Sequence, residues 1–385
     1  MHLSSVSRRR RLLGGGALVA AAAVALPVVS SVAFADDDGP SAAFSCDEGT
    51  ELPAPDKAFR VTVEGMDPGG EYIVGVSYEK REGAESTSSS DVDVKDPTPD
   101  MKLRVLLWHD GEYTEVPPPE GLDTSVVWEY ETFDVNAEGV VVGAAVEEIG
   151  QEPNRPWVHR DGETTLLPGV ETGWVGGINA AGDIVGVRTD GGVDQPVIWT
   201  AESDYEELVE LGLPEGAGSA QARDIGDDGV VVGGVEIDGV EQPFLWDSEA
   251  GDLLPRHPED AENLDVLALQ IRDGWVAGRG HYSDDGTPLR WNIASGKGDA
   301  ERGELNEVQG VNAEGWTAGV KLNAPAIQTD EGVAKLDTPY DQFHGTAKRL
   351  SDDGGLVAGF ADTDEIDDHF DYRIVRALVW TCAHG

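Results

Sequence analysis

The chain has 385 residues, with 74 acidic and 27 basic side chains and a formal net charge of −47. A field of this sign repels nucleic-acid backbones and anionic lipid surfaces, so the composition argues against a nucleic-acid-binding protein. Solubility in a salty exterior explains the charge most simply, and capture of cations or of a basic partner is the alternative.

The first 35 residues are predicted to be an export signal and not part of the fold. Arg8 to Arg11 form its positive start, residues 12–29 its apolar stretch, and Ala33 to Ala35 a small-residue cleavage site. Both the Sec and the twin-arginine routes stay open. A short acidic linker, residues 36–40, follows, and we expect a secreted protein without a stable membrane anchor.

A repeated phrase organises residues 41–385. Each copy has an apolar residue, a short polar turn, a glycine, two or three apolar residues and a second glycine, as in residues 178–186. The second glycines of the seven copies are Gly75, Gly143, Gly186, Gly233, Gly278, Gly319 and Gly359. Successive copies are 40 to 47 residues apart, except for a first step of 68 residues. A period in the low forties built from short strands is typical of a four-stranded propeller blade.

The fold is therefore predicted to be all-β, a single seven-bladed β-propeller. Within the unit that contains Gly233, the four strands are placed at residues 222–225, 230–235, 242–246 and 252–255. The polar turn and first glycine suit a three-residue hairpin with a left-handed residue. The second glycine is interpreted as marking a β-bulge or a close approach of two backbones.

Tryptophan ends the third strand in six of the seven units. The six residues are Trp108, Trp157, Trp199, Trp246, Trp291 and Trp380. This periodicity indicates packing between neighbouring blades, and an aromatic ligand cage is the alternative.

The last unit lacks a fourth strand, which the opposite end of the chain is predicted to supply. Residues 46–53 read like the fourth strand of the first unit, residues 109–117. In that pairing Cys382 lies beside Cys46, at a spacing that antiparallel neighbours can bridge. We predict a disulfide between them that closes the ring; two unpaired thiols or an intermolecular link are the alternatives.

The repeated phrase resembles the HAF family of bacterial extracellular repeats. Those repeats pair an Ile-Asn-x-x-Gly-x-Val-Val-Gly stretch with a His-Ala-Phe-x-Trp stretch. The first stretch is well kept at residues 178–186, whereas the second becomes Gln-Pro-Phe at residues 242–244 and keeps only its aromatic end. The resemblance implies an exported repeat protein and implies no catalytic residues.

Two acidic segments interrupt the repeats, an insertion at residues 79–101 in blade 1 and a loop at residues 361–374 in blade 7. Both join the second strand of a unit to the third, so they are expected on one face of neighbouring blades. Oxygen-rich loops suit Ca²⁺. The candidate ligands are Asp91, Asp93, Asp96, Asp362, Asp364, Asp367 and Asp368. Two solvated loops without a metal are the alternative, and no other cofactor is expected.

No catalytic constellation is recognisable in the sequence. The histidines are scattered and no phosphate-binding loop occurs. Asp134 and Asp224 are isolated acids on predicted inner strands, whereas an enzyme should place several convergent groups there. We expect a monomeric binding or interaction module, not an enzyme, with an extracellular protein, peptide or polysaccharide as partner. The alternatives are a hydrolase or lyase acting on extracellular polysaccharide and a structural envelope or matrix protein.

Overall fold

The computed structural model describes residues 44–80, 101–120, 122, 129–146, 154–247, 251–258, 264–281, 286–294, 300–341, 344–367 and 372–384. The chain divides into two compact units, Met1–Ser41 and Ala42–Gly385. Every described residue belongs to the second unit. The predicted signal (1–35) and linker (36–40) lie outside the described residues, as does most of the predicted insertion at 79–101.

The described residues form strands and one turn of 3₁₀ helix at Ala201–Ser203. The strands of the first half are β1 Phe44–Cys46, β2 Thr50–Glu51, β3 Ala58–Met66, β4 Tyr72–Lys80, β5 Met101–His109, β6 Glu112–Val116, β7 Glu129–Val135, β8 Val141–Val146, β9 Asn154–Arg160, β10 Glu163–Leu166, β11 Gly173–Ile178, β12 Ile184–Asp190, β13 Val193–Trp199 and β14 Leu208–Glu210. Those of the second half are β15 Ala217–Ile225, β16 Val231–Ile237, β17 Val240–Trp246, β18 Gly251–Leu253, β19 Asp265–Arg272, β20 Trp275–His281, β21 Thr287–Asn292, β22 Glu301–Arg302, β23 Glu307–Val311, β24 Thr317–Lys321, β25 Ala324–Thr329, β26 Gly332–Lys335, β27 Gly345–Leu350, β28 Leu356–Asp367 and β29 Tyr372–His384. The all-β prediction is confirmed.

The prediction of a seven-bladed propeller is wrong: the described strands form five four-stranded blades and one larger sheet. The five blades are antiparallel meanders of consecutive strands, β7–β10, β11–β14, β15–β18, β19–β22 and β23–β26. The remaining strands form one nine-stranded sheet in the order β27-β28-β29-β3-β4-β5-β6, with β1 and β2 also paired to β29.

A parallel bridge between Val375 of β29 and Arg60 of β3 joins the first and last repeats into that larger sheet. This bridge forms because the N-terminal strands that pair with β29 differ greatly from it in length. β29 has 13 residues, whereas β1 and β2 have three and two. The short N-terminal strands cover only the C-terminal part of β29, so the exposed part of its edge pairs with β3 instead.

The first two described strands pair with the last strand, as predicted. β1 aligns Cys46 with Cys382, and β2 aligns Thr50 with Val379, both antiparallel to β29. A disulfide joins the two cysteines, with an S–S distance of 2.08 Å. The predicted disulfide and the pairing of the N-terminal segment with the last repeat are confirmed.

The acidic loop predicted at residues 361–374 is mostly strand. β28 continues to Asp367 and β29 begins at Tyr372, with Ile366 paired to Arg373 after a shift of register that starts at Asp362. Isoleucine and tyrosine favour strands, and a bulge lets the ladder resume beyond the irregularity. The acidic composition concealed this continuation.

Tryptophans at the ends of third strands tie adjacent repeats together. All six periodic tryptophans are at most 2% exposed. The Trp199 indole donates a 2.8 Å hydrogen bond to the carbonyl of Pro168, which follows the fourth strand of the preceding blade. Trp108, Trp246, Trp291 and Trp380 make the corresponding bond to Pro53, Gly212, Pro255 and Asp337. Their interpretation as packing between repeats is confirmed.

Candidate functional site: the axial cavity

The first strand of every repeat carries a β-bulge at one equivalent position. In β15, for example, the register with β16 shifts between Ala222 and Asp224, which leaves Arg223 as the extra residue. The extra residue always lies two positions before the start of the repeated phrase. These residues are Glu64, Phe133, Gly176, Arg223, Leu269, Gln309 and Lys348. A bulge re-aims a side chain and is common beside binding sites.

The bulge also explains the second glycine of the phrase. A Cβ built on Gly233 would lie 1.8 Å from the carbonyl oxygen of Gln221 on the bulged strand. The other second glycines face the equivalent carbonyl, with 2.0 Å at Gly143 and 1.9 Å at Gly319. The interpretation of these glycines as marks of a bulge and of a close backbone approach is confirmed.

All of the bulged residues line one cavity of about 460 Å³. Because they come from the first strand of each repeat, the cavity lies where these inner strands face one another. Trp174, Val175, Arg279, Val308 and Arg349 complete its lining. We call this space the axial cavity.

The lining of the axial cavity is cationic. Arg223, Arg279, Lys348 and Arg349 line it, and Glu64 is the one acidic residue among its described lining residues. Lys348 Nζ lies 2.9 Å from a carboxylate oxygen of Glu64. Burial lowers the pKa of Arg223 below its ordinary value, although nearby Glu241 and Asp194 oppose this. Positive charge is therefore gathered here in a strongly acidic chain.

Contacts on the cavity wall hold two of these arginines in place. The guanidinium of Arg223 lies 4.5 Å from the ring centre of Trp174, and it donates a hydrogen bond to the side-chain oxygen of Gln221. Arg349 donates to the carbonyl oxygens of Gln309, at 2.9 Å, and Lys348, at 3.0 Å. These contacts fix the orientation of both planar guanidinium groups in the ligand-free protein.

Next to the cavity, in three of the repeats, the residue that directly precedes the phrase links that repeat to the following one. Asp224 accepts a hydrogen bond from the Ile271 backbone N–H at 2.8 Å, and Asp134 accepts one from Ile178 at 3.3 Å. Gln270 does the same for Val311 at 2.8 Å. These side chains are buried, and their bonds are structural.

Burial raises the pKa of both carboxyl groups, to about 6 for Asp224, although the positive charge of Arg272 opposes the rise. Asp134 and Asp224 are not among the residues that line the axial cavity. The inner-strand acids singled out from the sequence therefore lie close to the cavity but serve the contacts between repeats.

The described members of the predicted calcium site lie on β28. Asp362 is partly buried and its pKa is raised by burial, with the positive groups of His344, Arg373 and Arg60 opposing the rise. Asp364 accepts a hydrogen bond from the Asp341 N–H at 3.3 Å. Within the part of the chain that the structure describes, no group of three acidic, histidine or cysteine residues could hold a metal.

The other predicted calcium ligands, Asp91, Asp93, Asp96 and Asp368, lie outside the described residues. The calcium site stays a prediction.

Sequence reasoning did not single out Arg223, Arg279, Lys348 or Arg349. The sequence did contain one signal: when the copies of the phrase are aligned, the residue two positions before each copy is the bulged residue. Nothing local distinguishes Arg279, which lies on β20 and reaches the cavity from a second strand.

No protein-family model matches the chain, and no curated protein matches it. Its fold is similar to that of solved structures. A puromycin-hydrolysing peptidase from Mycobacterium tuberculosis matches with a TM-score of 0.50 and 11% identity, over 82% of this chain and 53% of the peptidase. This chain thus spans about half the length of that enzyme, and the similarity concerns the fold alone.

Two further solved structures match at lower TM-scores. The β-propeller domain of the Trilobed protease from Pyrococcus furiosus has a TM-score of 0.46 and 13% identity, over 83% of this chain and 95% of that domain. TolB from Acinetobacter baumannii has a TM-score of 0.40 and 10% identity, over 81% of this chain and 80% of that protein. The described residues contain no helix long and apolar enough to cross a bilayer.

Proposed function

We propose that the protein is a binding module of the cell exterior and that its ligand occupies the axial cavity. The observation that carries this proposal is the repeated bulge, which directs the extra residue of every inner strand toward one space. A cavity of about 460 Å³ lies within the range of small-molecule sites, about 300–1,000 Å³.

The disulfide supports the proposed location. Disulfides form and persist in oxidising compartments such as the cell exterior, and the bond between Cys46 and Cys382 closes the described propeller. The predicted export signal agrees with it. Membership of the HAF-type extracellular repeats belongs to the same proposal, because the kept residues 178–186 resemble that family.

Filling the cavity tests the proposal. Leu269→Trp places a large side chain at a bulged lining position, and Leu253→Trp places the same side chain on the outer strand β18, where Leu253 is 50% exposed. The mature wild-type protein and both variants would be screened by thermal shift against cell-wall fragments, glycans and peptides. We expect a ligand that stabilises the wild type and Leu253→Trp but not Leu269→Trp.

A glycosidase and lyase assay accompanies that screen. Turnover that Leu269→Trp abolishes would show an enzyme and overturn the binding-module proposal. Binding that survives unchanged in Leu269→Trp would move the site away from the axial cavity.

A further inference from the structure

Charge in the axial cavity has the opposite sign to that of the whole chain. The chain carries 74 acidic against 27 basic residues, yet the described lining residues of the cavity include four cationic side chains and one carboxylate. The carboxylate, Glu64, is already engaged by Lys348. Acidic groups outside the lining attract the three arginines: Glu241 and Asp194 act on Arg223, Glu241 on Arg279, and Asp134 on Arg349. No acidic residue among the described lining residues forms an ion pair with these three arginines.

These three arginines share a second property, since the Nε atom of each is buried and has no hydrogen-bond partner among the described residues. A buried donor without an acceptor is costly, more so on a charged group. A guanidinium presents its donors in a rigid fork that matches the oxygens of a carboxylate or a phosphate. The buried Nε atoms are themselves out of a ligand's reach, so an oxyanion in the cavity would be bound through the guanidinium Nη donors.

Apolar and aromatic surface lies beside these donors. Phe133, Leu269 and Val308 line the same cavity, and Trp174 carries the stacked Arg223 guanidinium. Ligand sites commonly combine apolar walls with a few fixed polar groups. The lining therefore fits a small organic body that bears the anionic group.

We propose that the axial cavity binds a compact organic oxyanion, a carboxylate or a phosphate carried on a body of sugar size. This inference rests on the proposed binding function and adds the chemical class of the ligand. Arg223, Arg279 and Arg349 bind the oxyanion, and the apolar wall contacts the remainder of the ligand. The negative field of the chain disfavours anions elsewhere on the surface, so the cationic lining of the cavity is where an anion can bind.

Matched sugars test the proposal by isothermal titration calorimetry on the mature wild-type protein. Glucose is the neutral probe, glucuronate carries a carboxylate, and glucose 6-phosphate carries a phosphate. We expect one or both anionic sugars to bind at least about tenfold more tightly than glucose, because only they accept charge-assisted hydrogen bonds. The two anionic arms decide between carboxylate and phosphate.

Arg279→Gln is the diagnostic variant, and Arg188→Gln is its control. Arg188 pairs with Glu210 on the outside of the fold and does not line the cavity. Arg279→Gln should weaken binding of the anionic sugar about tenfold, and Arg188→Gln should leave it unchanged. Without ligand, Arg279→Gln should melt no lower than the wild type, whereas the loss of a purely structural arginine would lower the melting temperature.

Several outcomes would overturn the inference. One is an equal calorimetric affinity of the wild type for glucose and both anionic sugars. Another is the absence of any rise in the melting temperature of the wild type with either anionic sugar at about 10 mM, a concentration at which a ligand of millimolar affinity stabilises the protein measurably. Anion binding that persists in Leu269→Trp would place the anion elsewhere. A neutral ligand that Leu269→Trp excludes would remove the anion proposal but keep the binding function, whereas turnover would remove the binding function itself.

Discussion

Asparagine in the repeated phrase has two roles at the scale of one residue. The side-chain oxygen of Asn179 accepts a hydrogen bond from the Asp183 N–H at 2.9 Å and so closes its own turn. Its side-chain nitrogen donates to the Gly226 carbonyl of the next repeat at 3.4 Å. Asn136 and Asn312 make the equivalent pairs of bonds. One side chain thus specifies both the hairpin and its neighbour.

The second glycine of the phrase gives the first prediction. Gly233→Ala places a Cβ against the Gln221 carbonyl, so the bulge must shift and the variant should lose about 2–4 kcal/mol of unfolding free energy. Gly218→Ala on β15 is the control, because its Cβ would meet only the Glu236 side chain at 3.7 Å. Urea denaturation measures both. Equal, small losses in the two variants would contradict the steric explanation.

Asp224 gives a pH-dependent prediction. Its folded pKa, about 6, lies above the ordinary value of 3.8. A raised pKa adds stability that is fully present below pH 3.8 and is lost as the pH rises through 6. Asp224→Asn does not titrate, so its stability relative to wild type should improve by up to about 3 kcal/mol between pH 4 and pH 7.5.

Urea denaturation at the two pH values measures that difference. Asp238→Asn, at an exposed turn, is the control and should change stability by the same amount at both. A difference between Asp224→Asn and wild type that stays constant with pH would show that Asp224 is not the titrating group.

At the scale of elements, closure of the propeller depends on very short strands. β1 and β2 contribute three and two residues, which is too little for independent stability. The disulfide spans a sequence separation of 336 residues and holds both strands against β29. The covalent bond compensates for the small number of ladder hydrogen bonds.

Removing this bond gives the third prediction. The Cys46→Ser, Cys382→Ser double variant should lose about 5–6 kcal/mol of unfolding free energy, because its unfolded chain regains the entropy that a closed loop forbids. Chemical denaturation with and without a reductant measures the loss. Reductant should lower the stability of the wild type to that of the double variant and leave the double variant unchanged. Insensitivity of both proteins would mean that the bond contributes nothing to stability.

At the scale of the whole molecule, self-repulsion opposes folding. The chain has a net charge of −47, and repulsion among like charges destabilises a folded state at low ionic strength. Raising the salt from about 0.01 M to about 0.15 M shortens the screening length from about 30 Å to about 8 Å. We therefore predict that the urea midpoint rises over this range, equally for NaCl and KCl. A midpoint that falls or depends on the cation would contradict screening as the cause.

The order of the strands was predictable because short sequence motifs specify each part of it. The repeated phrase specifies a hairpin and its glycine, and the periodic tryptophans specify packing between repeats. Cys46 and Cys382 lie at aligned positions of two strands that are predicted to pair. The extension of β28 beyond residue 361 was missed, because acidic composition outweighed the strand preference of Ile366 and Tyr372.

Sequence alone determined that this protein is a propeller of short repeated strands with a disulfide between its ends, since each of these features depends on residues that recur at a fixed spacing. Only the tertiary structure decided that the first and last repeats share one sheet, because that bridge depends on how much of β29 the N-terminal strands leave uncovered. It alone also assembled the cationic cavity. The repeated phrase locates each bulged residue, but that all of them meet in one space, and that Arg279 joins them from β20, depends on how the repeats are arranged around it.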